Sequence, residues 1–147
     1  MDHRTLHHES LQNLVNIPFG AAGLAEGTNA NTIKTANAID YTIGGKMYSK
    51  GATDNIAMTA CAQQADGTDC MYLISIDSAG NVTTTKGEEV AAGAGAYLPD
   101  VPANEAVIGA IKVNTNGATF TSGGTDLSAA NITATVYDLA GAHGDSY

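Results

Sequence analysis

Cys61 and Cys70 are the only cysteines in a chain of 147 residues, and they bracket the acidic segment "CAQQADGTDC". This spacing admits half a metal site, a redox pair, a disulfide or a plain loop. A structural zinc site takes about four N or S ligands, usually in two close pairs. No second pair exists here, and His3, His7, His8 and His143 stand far away in sequence. A thioredoxin-like centre wants Cys-x-x-Cys in a βα context, which is absent. If Cys61 ends one strand, Cys70 begins the next and the two strands pair antiparallel, the thiols meet at the mouth of a loop. A disulfide then forms where the Cα atoms lie within ~7 Å, worth roughly 2–3 kcal/mol for so short a loop. Two free, buried thiols are the equal alternative. On either reading the segment is not catalytic.

Other patterns fall short of chemistry. His3 and His7 stand i,i+4 and could share a metal on a helix. However, "HHES" lacks the second histidine of His-Glu-x-x-His, so solvated histidines are expected. "YTIGGKMY" has Asp40 and Met47 where a phosphate loop needs Gly and Ser or Thr. "GAGAYL" starts like a dinucleotide fingerprint, but Leu98 replaces the last glycine, and Pro99 and Pro102 exclude a helix start. No Gly-x-Ser-x-Gly occurs. Asp66 and Asp69 lack the calcium-loop spacing, and Glu88-Glu89 reads as a solvated turn. With no nucleophile beside a plausible base, the expectation is a non-enzyme without cofactor or metal.

The elements that must position these residues divide into an N-terminal arm, residues 1–30, and a β domain, residues 31–147. In the arm, Leu6, Leu11, Leu14 and Val15 fall loosely on one helical face, which Pro18 ends. "FGAAGLAEGTNANT" then has linker composition. An extended or helical arm carrying Leu6, Leu11, Leu14, Val15, Ile17 and Phe19 is a candidate docking element. On this division, removing residues 1–30 leaves a folded domain.

From Asn31 the pattern is β. Ile39, Tyr41 and Ile43 alternate before Gly44-Gly45, a two-residue hairpin signal. "NIAMTAC" alternates Ile56, Met58 and Ala60. Tyr72, Ile74 and Ile76 form one face of a second hairpin turning at "SAGN". "EEVAAGAGAYLPDVPANE" is a Gly/Ala/Pro crossover. "AVIGAIKVNTNGATFTSG" reads as a third hairpin turning near Asn116-Gly117, and "NITATVYDL" as the last strand. Seven or eight short strands of this kind give an all-β antiparallel sandwich or small barrel.

Composition narrows the function classes. Leu, Ile, Val and Phe make up only 27 of the 147 residues, so the core is thin. A thin core favours stability gained from neighbours, as a homo-oligomer or on a docked surface. With 15 acidic residues, six Lys plus Arg and a net charge of −9, no basic stripe exists for nucleic acid. No run is apolar for ~18 residues, so no membrane span is expected. The start lacks the pattern of a signal peptide, which points to synthesis in a cytosol.

Two stretches carry a resemblance. They are "AIDYTIGGKMYSKGATDNIAMTACAQQADGTDCMYLISIDSAGNVTTTKGEEV" and "LPDVPANEAVIGAIKVNTNGATFTSGGTDLSAANITATVYDL". Together they resemble the body of a group of bacteriophage virion structural proteins, over roughly residues 31–139. In that group a Gly/Ala crossover is followed by a segment like Pro102-Ala103-Asn104 with Ile108-Gly109. A turn like Gly124-Thr125-Asp126-Leu127-Ser128-Ala129 then precedes the last strand. The resemblance implies a capsid decoration (cement) protein on the capsid exterior of the virion, assembled in the host cytoplasm. Its partner would be the major capsid protein and its assembly a homo-oligomer, with a trimer favoured. A head- or tail-fibre or receptor-binding module is the alternative.

Overall fold

The computed structural model describes residues 16–139. Among them there are eleven strands and no helix. In chain order these are β1 (Ile17–Pro18), β2 (Leu24–Glu26), β3 (Thr32–Thr35), β4 (Ile39–Ile43), β5 (Lys46–Lys50) and β6 (Thr53–Ala57). The remaining five are β7 (Thr68–Asp77), β8 (Val82–Lys86), β9 (Val90–Ala91), β10 (Glu105–Thr115) and β11 (Ile132–Asp138). All pairings are antiparallel, in three sheets: β11-β10-β7-β8 with β9 also on β7, β1-β4-β5, and β2-β3-β6. No sheet closes into a barrel.

The local chemistry explains the hairpins. Gly44 and Gly45 both adopt positive φ, 59° and 79°. That geometry matches strand twist in a two-residue turn, and glycine enters it without steric cost. Asp77 organises the β7–β8 turn. Its Oδ1 accepts from the N–H groups of Ala79 at 2.8 Å and Asn81 at 2.9 Å, and its Oδ2 accepts from Asn81 Nδ2 at 2.9 Å. Tyr41 Oη donates to the Asp77 carbonyl at 2.8 Å, tying the β4 sheet to this turn.

The core lies between the sheets. β7 contributes Cys70, Tyr72, Ile74 and Ile76, and β10 contributes Ala106, Ile108, Ile111 and Val113. Ile108 and Ile111 are three residues apart, which strict alternation cannot put on one face. A bulge resolves this: the register to β7 shifts between Val107 and Gly109, and the inward parity flips. Ile39, Tyr41 and Ile43 of β4, Leu24 of β2 and Ile33 of β3 complete the cluster from the small sheets. Loop residues Met58, Phe120 and Leu127 join them. Phe120 meets Tyr72 edge-to-face at 5.4 Å, a favoured aromatic geometry.

Two sequence expectations are corrected. The boundary between arm and domain is not at residue 30. β1 pairs with β4, β2 pairs with β3, and Ala22 and Leu24 are buried in the core. Residues 17–26 therefore belong to the β domain. Nor does the chain return at Asn116-Gly117 to make a hairpin. It turns there, with Gly117 at φ 92°, but the next strand to pair with β10 is β11, which begins fifteen residues later. Between them Phe120 enters the core instead of an outer strand. The helical reading of Leu6, Leu11, Leu14 and Val15 lies outside the described residues.

Candidate functional site

The cysteines do not meet as strand partners. Cys61 lies beyond the end of β6, and β6 pairs with β3, not with β7, where Cys70 sits. The antiparallel pair that would have brought them together is not formed, and both thiols are free. Cys70 is fully buried, with Sγ 3.4 Å from the Gly87 carbonyl. Burial pushes its thiol up from the ordinary value, which disfavours the reactive thiolate. Cys61 is half-buried and lies 3.7 Å from the Thr84 carbonyl. We expect thiol titration of the unfolded chain to count two groups, one of them (Cys61) reacting first in the native state. Replacing both by Ser should cost about 1–2 kcal/mol, chiefly at Cys70. A single disulfide-linked species without free thiol would contradict this.

The segment between the cysteines is held by a residue that the sequence did not single out. Gln64 is fully buried. Its Nε2 donates to the carbonyls of Thr68 at 3.1 Å and Val113 at 3.0 Å, and its Oε1 accepts from Tyr72 Oη at 3.1 Å. Its backbone exchanges hydrogen bonds with Phe120. A glutamine in a polar stretch gives no sequence signal of this role. Burial raises the Tyr72 hydroxyl far above its ordinary value, so it stays protonated as a donor.

Charged clusters are structural in geometry. Asp69 is buried and accepts from Asn114 Nδ2 at 2.5 Å, Lys112 Nζ at 2.9 Å and the Gly93 N–H at 3.1 Å. The Asn114 bond is the main cause that holds its carboxyl below the ordinary value, with Lys112 and Gly93 adding to it. A depressed carboxyl stabilises the fold at pH above its ordinary value of 3.8, and that contribution is lost as pH falls through the depressed value. Asp69→Asn should therefore lower stability at neutral pH and flatten the acid limb. Urea melts between about pH 2 and 5 check this; an unchanged acid slope would refute it.

On the same face of the large sheet, Glu105 accepts from Ser75 Oγ and from Thr83 Oγ1. Ser75 is fully buried, and no imidazole adjoins it among the described residues. Lys86 pairs with Glu89, whose other oxygen accepts from the Ala65 N–H at 3.0 Å. Among the described residues no group of three or more His, Cys, Asp or Glu is placed to hold a metal. No helix among them is long and apolar enough to cross a membrane. His3, His7, His8 and His143 lie outside the described residues.

Two apolar surfaces remain as candidate sites. The first is the outward face of the β1-β4-β5 sheet. Register places Ile17, Thr42 and Met47 in line across it. Phe19 donates its N–H to the Asp40 carbonyl, continuing the ladder by one position, and alternation puts it on the face of Ile17. Phe19 is 58% and Met47 64% exposed, and Ile17 is half-buried. Of the six expected docking residues, the structure thus brings Ile17 and Phe19 onto one surface, joined by Met47, which sequence reading missed. Leu6, Leu11, Leu14 and Val15 lie outside the described residues.

The second is a groove of about 760 Å³ on the large sheet's outer face. Met71, Ala110, Lys112 and Tyr137 floor it, and Tyr97 and Leu98 wall it. The crossover that supplies this wall is seated at Gly87, where a Cβ would stand 2.9 Å from the carbonyl oxygens of both Met71 and Tyr97. Only a glycine permits that approach.

No family model, curated protein or solved structure matches the chain.

Proposed function

We propose that this chain is a non-enzymatic structural component of a bacteriophage particle, a capsid decoration protein that binds the major capsid protein on the outer shell. The observation that carries the reading is the face on which Phe19 and Met47 stand exposed beside half-buried Ile17, on an otherwise acidic domain. Large exposed apolar side chains that share one face mark interaction sites. In sequence this face comes directly after Leu6, Leu11, Leu14 and Val15, so one continuous stretch supplies most of the apolar contact. The resemblance of residues 31–139 to virion structural proteins supports the same reading. The fold fits it as a β-sandwich in which the two small sheets cover one face of the large one. Binding only to the assembled lattice stabilises that lattice by mass action. The protein would act as a homo-oligomer, without nucleic acid, membrane or cofactor.

The groove favours a second reading, a fibre or receptor-binding module. Tyr97 and Tyr137 are exposed beside Lys112, a surface suited to a small polar ligand. Quantitative mass spectrometry of purified particles separates decoration from a tail fibre. Decoration predicts a ratio to the major capsid protein of one to one or one to a small integer. A few copies per particle would move the chain to a tail fibre, and absence from particles would end both readings. Phe19→Asp with Met47→Glu should abolish binding to empty shells while leaving the thermal melt unchanged; full retained binding would remove this face from the interface.

A further inference from the structure

Sheet edges offer unpaired N–H and C=O groups to other chains, and soluble proteins guard them with short strands, lysines, distortions or covering segments. The edges of this fold are guarded in those ways, with one exception among the described residues. β1 and β2 have two and three residues. β5 carries Lys46 and Lys50 at its ends. β6 carries Asp54 and is distorted at Asn55, with φ 54°. β8 is covered: its Thr84 N–H donates to Thr59 Oγ1, and its Thr84 carbonyl accepts from Cys61 Sγ.

β11 has such a device only at its last residue, where the Asp138 carboxylate accepts from the Gly23 N–H at 2.9 Å; Ile132 to Tyr137 carry no charge and no bulge. The strand runs seven residues, Ile-Thr-Ala-Thr-Val-Tyr-Asp, in unbroken register with β10. The Asn116 N–H bonds to the Asn131 carbonyl, and the Leu139 N–H to the Ile108 carbonyl. Odd-numbered residues therefore face β10 with their backbone groups. Ala134 and Val136 direct theirs outward, with no partner among the described residues.

The geometry points to a second copy of this chain as the occupant, joined by antiparallel pairing of β11 with β11 about a two-fold axis at Thr135. This goes beyond the proposed function and does not depend on it. In that register Ala134 pairs with Val136 of the partner strand and exchanges both hydrogen bonds, so these two pairs alone give four bonds. Thr135 meets Thr135, and Thr133 meets Tyr137, both favourable cross-strand chemistries. Charge selects the same place. Two chains of −9 repel each other, yet residues 127–137 carry no charge at all. Each Asp138 falls opposite Ile132, and the two Asp138 lie at opposite ends of the ladder. The apolar groove continues the surface at Tyr137. Each copy offers one such edge, so an isologous contact closes at two. This gives a dimer instead of the anticipated trimer.

The test is sedimentation of the full chain, with Thr135→Lys and Thr135→Glu as variants. The wild type should sediment at twice the 14.9 kDa chain mass. Either variant alone should weaken association on the order of 100-fold by placing like charges at the axis. An equimolar mixture of the two should restore the dimer. Lys112 stands across from Thr135 in the same chain, so circular dichroism checks the Lys variant's fold, and the Glu variant, which Lys112 can pair, provides the second probe. Hydrogen exchange should show the amides of Ala134 and Val136 protected in the wild type and fast in the Glu variant. A monomeric or trimeric wild type overturns the proposal. So does a dimer that persists in both variants, or protection of these amides that the Glu variant leaves unchanged.

Discussion

Removing residues 1–30 is expected to unfold the domain, whereas removing residues 1–15 leaves it folded. The longer deletion takes away β1 and β2, and with them one of the two neighbours of β4 and one of the two neighbours of β3. It removes the buried side chains of Ala22 and Leu24 and uncovers Ile33, which is fully buried. Loss of one buried leucine side chain alone costs about 2–5 kcal/mol. Anchors outside the strands go too: the Gly23 N–H donates to Asp138 Oδ2 at 2.9 Å, and the Ala30 carbonyl accepts from the Leu127 N–H at 2.8 Å. The total approaches the roughly 5–15 kcal/mol that holds a domain together. The shorter deletion removes none of these groups. Thermal melts followed by near-ultraviolet circular dichroism decide the matter. A 1–30 deletion that melts cooperatively within a few degrees of the full chain would restore the original boundary.

Gly109→Val should be the most damaging single substitution. A Cβ at Gly109 would lie 2.5 Å from Leu24 Cδ2 and 2.7 Å from the backbone oxygen of Tyr137. The first neighbour is a side chain that can shift; the second is the main chain of β11 and cannot. Overpacking of this kind costs about 3 kcal/mol, a fall in Tm of roughly 10 °C for a chain of this size. Adding Leu24→Ala should not rescue it, because the Tyr137 contact persists and Leu24 contributes its own burial. A Gly109→Val chain with wild-type Tm would mean that Leu24 and the Tyr137 main chain do not approach Gly109 this closely.

These two positions also mark where sequence reading stopped. The Gly44-Gly45 hairpin, the β7–β8 hairpin and β11 were legible, because their turn residues and period-two alternation are local properties. β1 and β2 were not. Their Gly, Ala and Asn content reads as linker, and they become strands only because β3 and β4 offer edges and Gly109 offers room. The turn at Asn116-Gly117 was legible as a turn, but the path of the chain beyond it was not. Phe120 fits an outer strand as well as a core, and only its partner Tyr72 decides. The candidate surface was half legible: Ile17 and Phe19 are large and apolar, while Met47 joins them solely through the register of β5 on β4. The disulfide reading failed for the same reason, since strand order, not spacing, governs which residues meet.

The bridge between Gln64 and Phe120 has a consequence for how the domain would weather attack by proteases. Two long connections, residues 58–67 and 116–131, lack regular structure over most of their length, yet they are clasped by reciprocal backbone bonds and a buried amide. A protease needs several consecutive residues drawn out into its cleft, and local opening here would first break that clasp. From Gly95 to Asp100 the crossover makes no hydrogen bond among the described residues and is largely exposed. Nicking should therefore begin in the groove wall and spare the two clasped loops. The first cut would blunt Tyr97 and Leu98 while leaving the core, and the outward face that holds Phe19, intact.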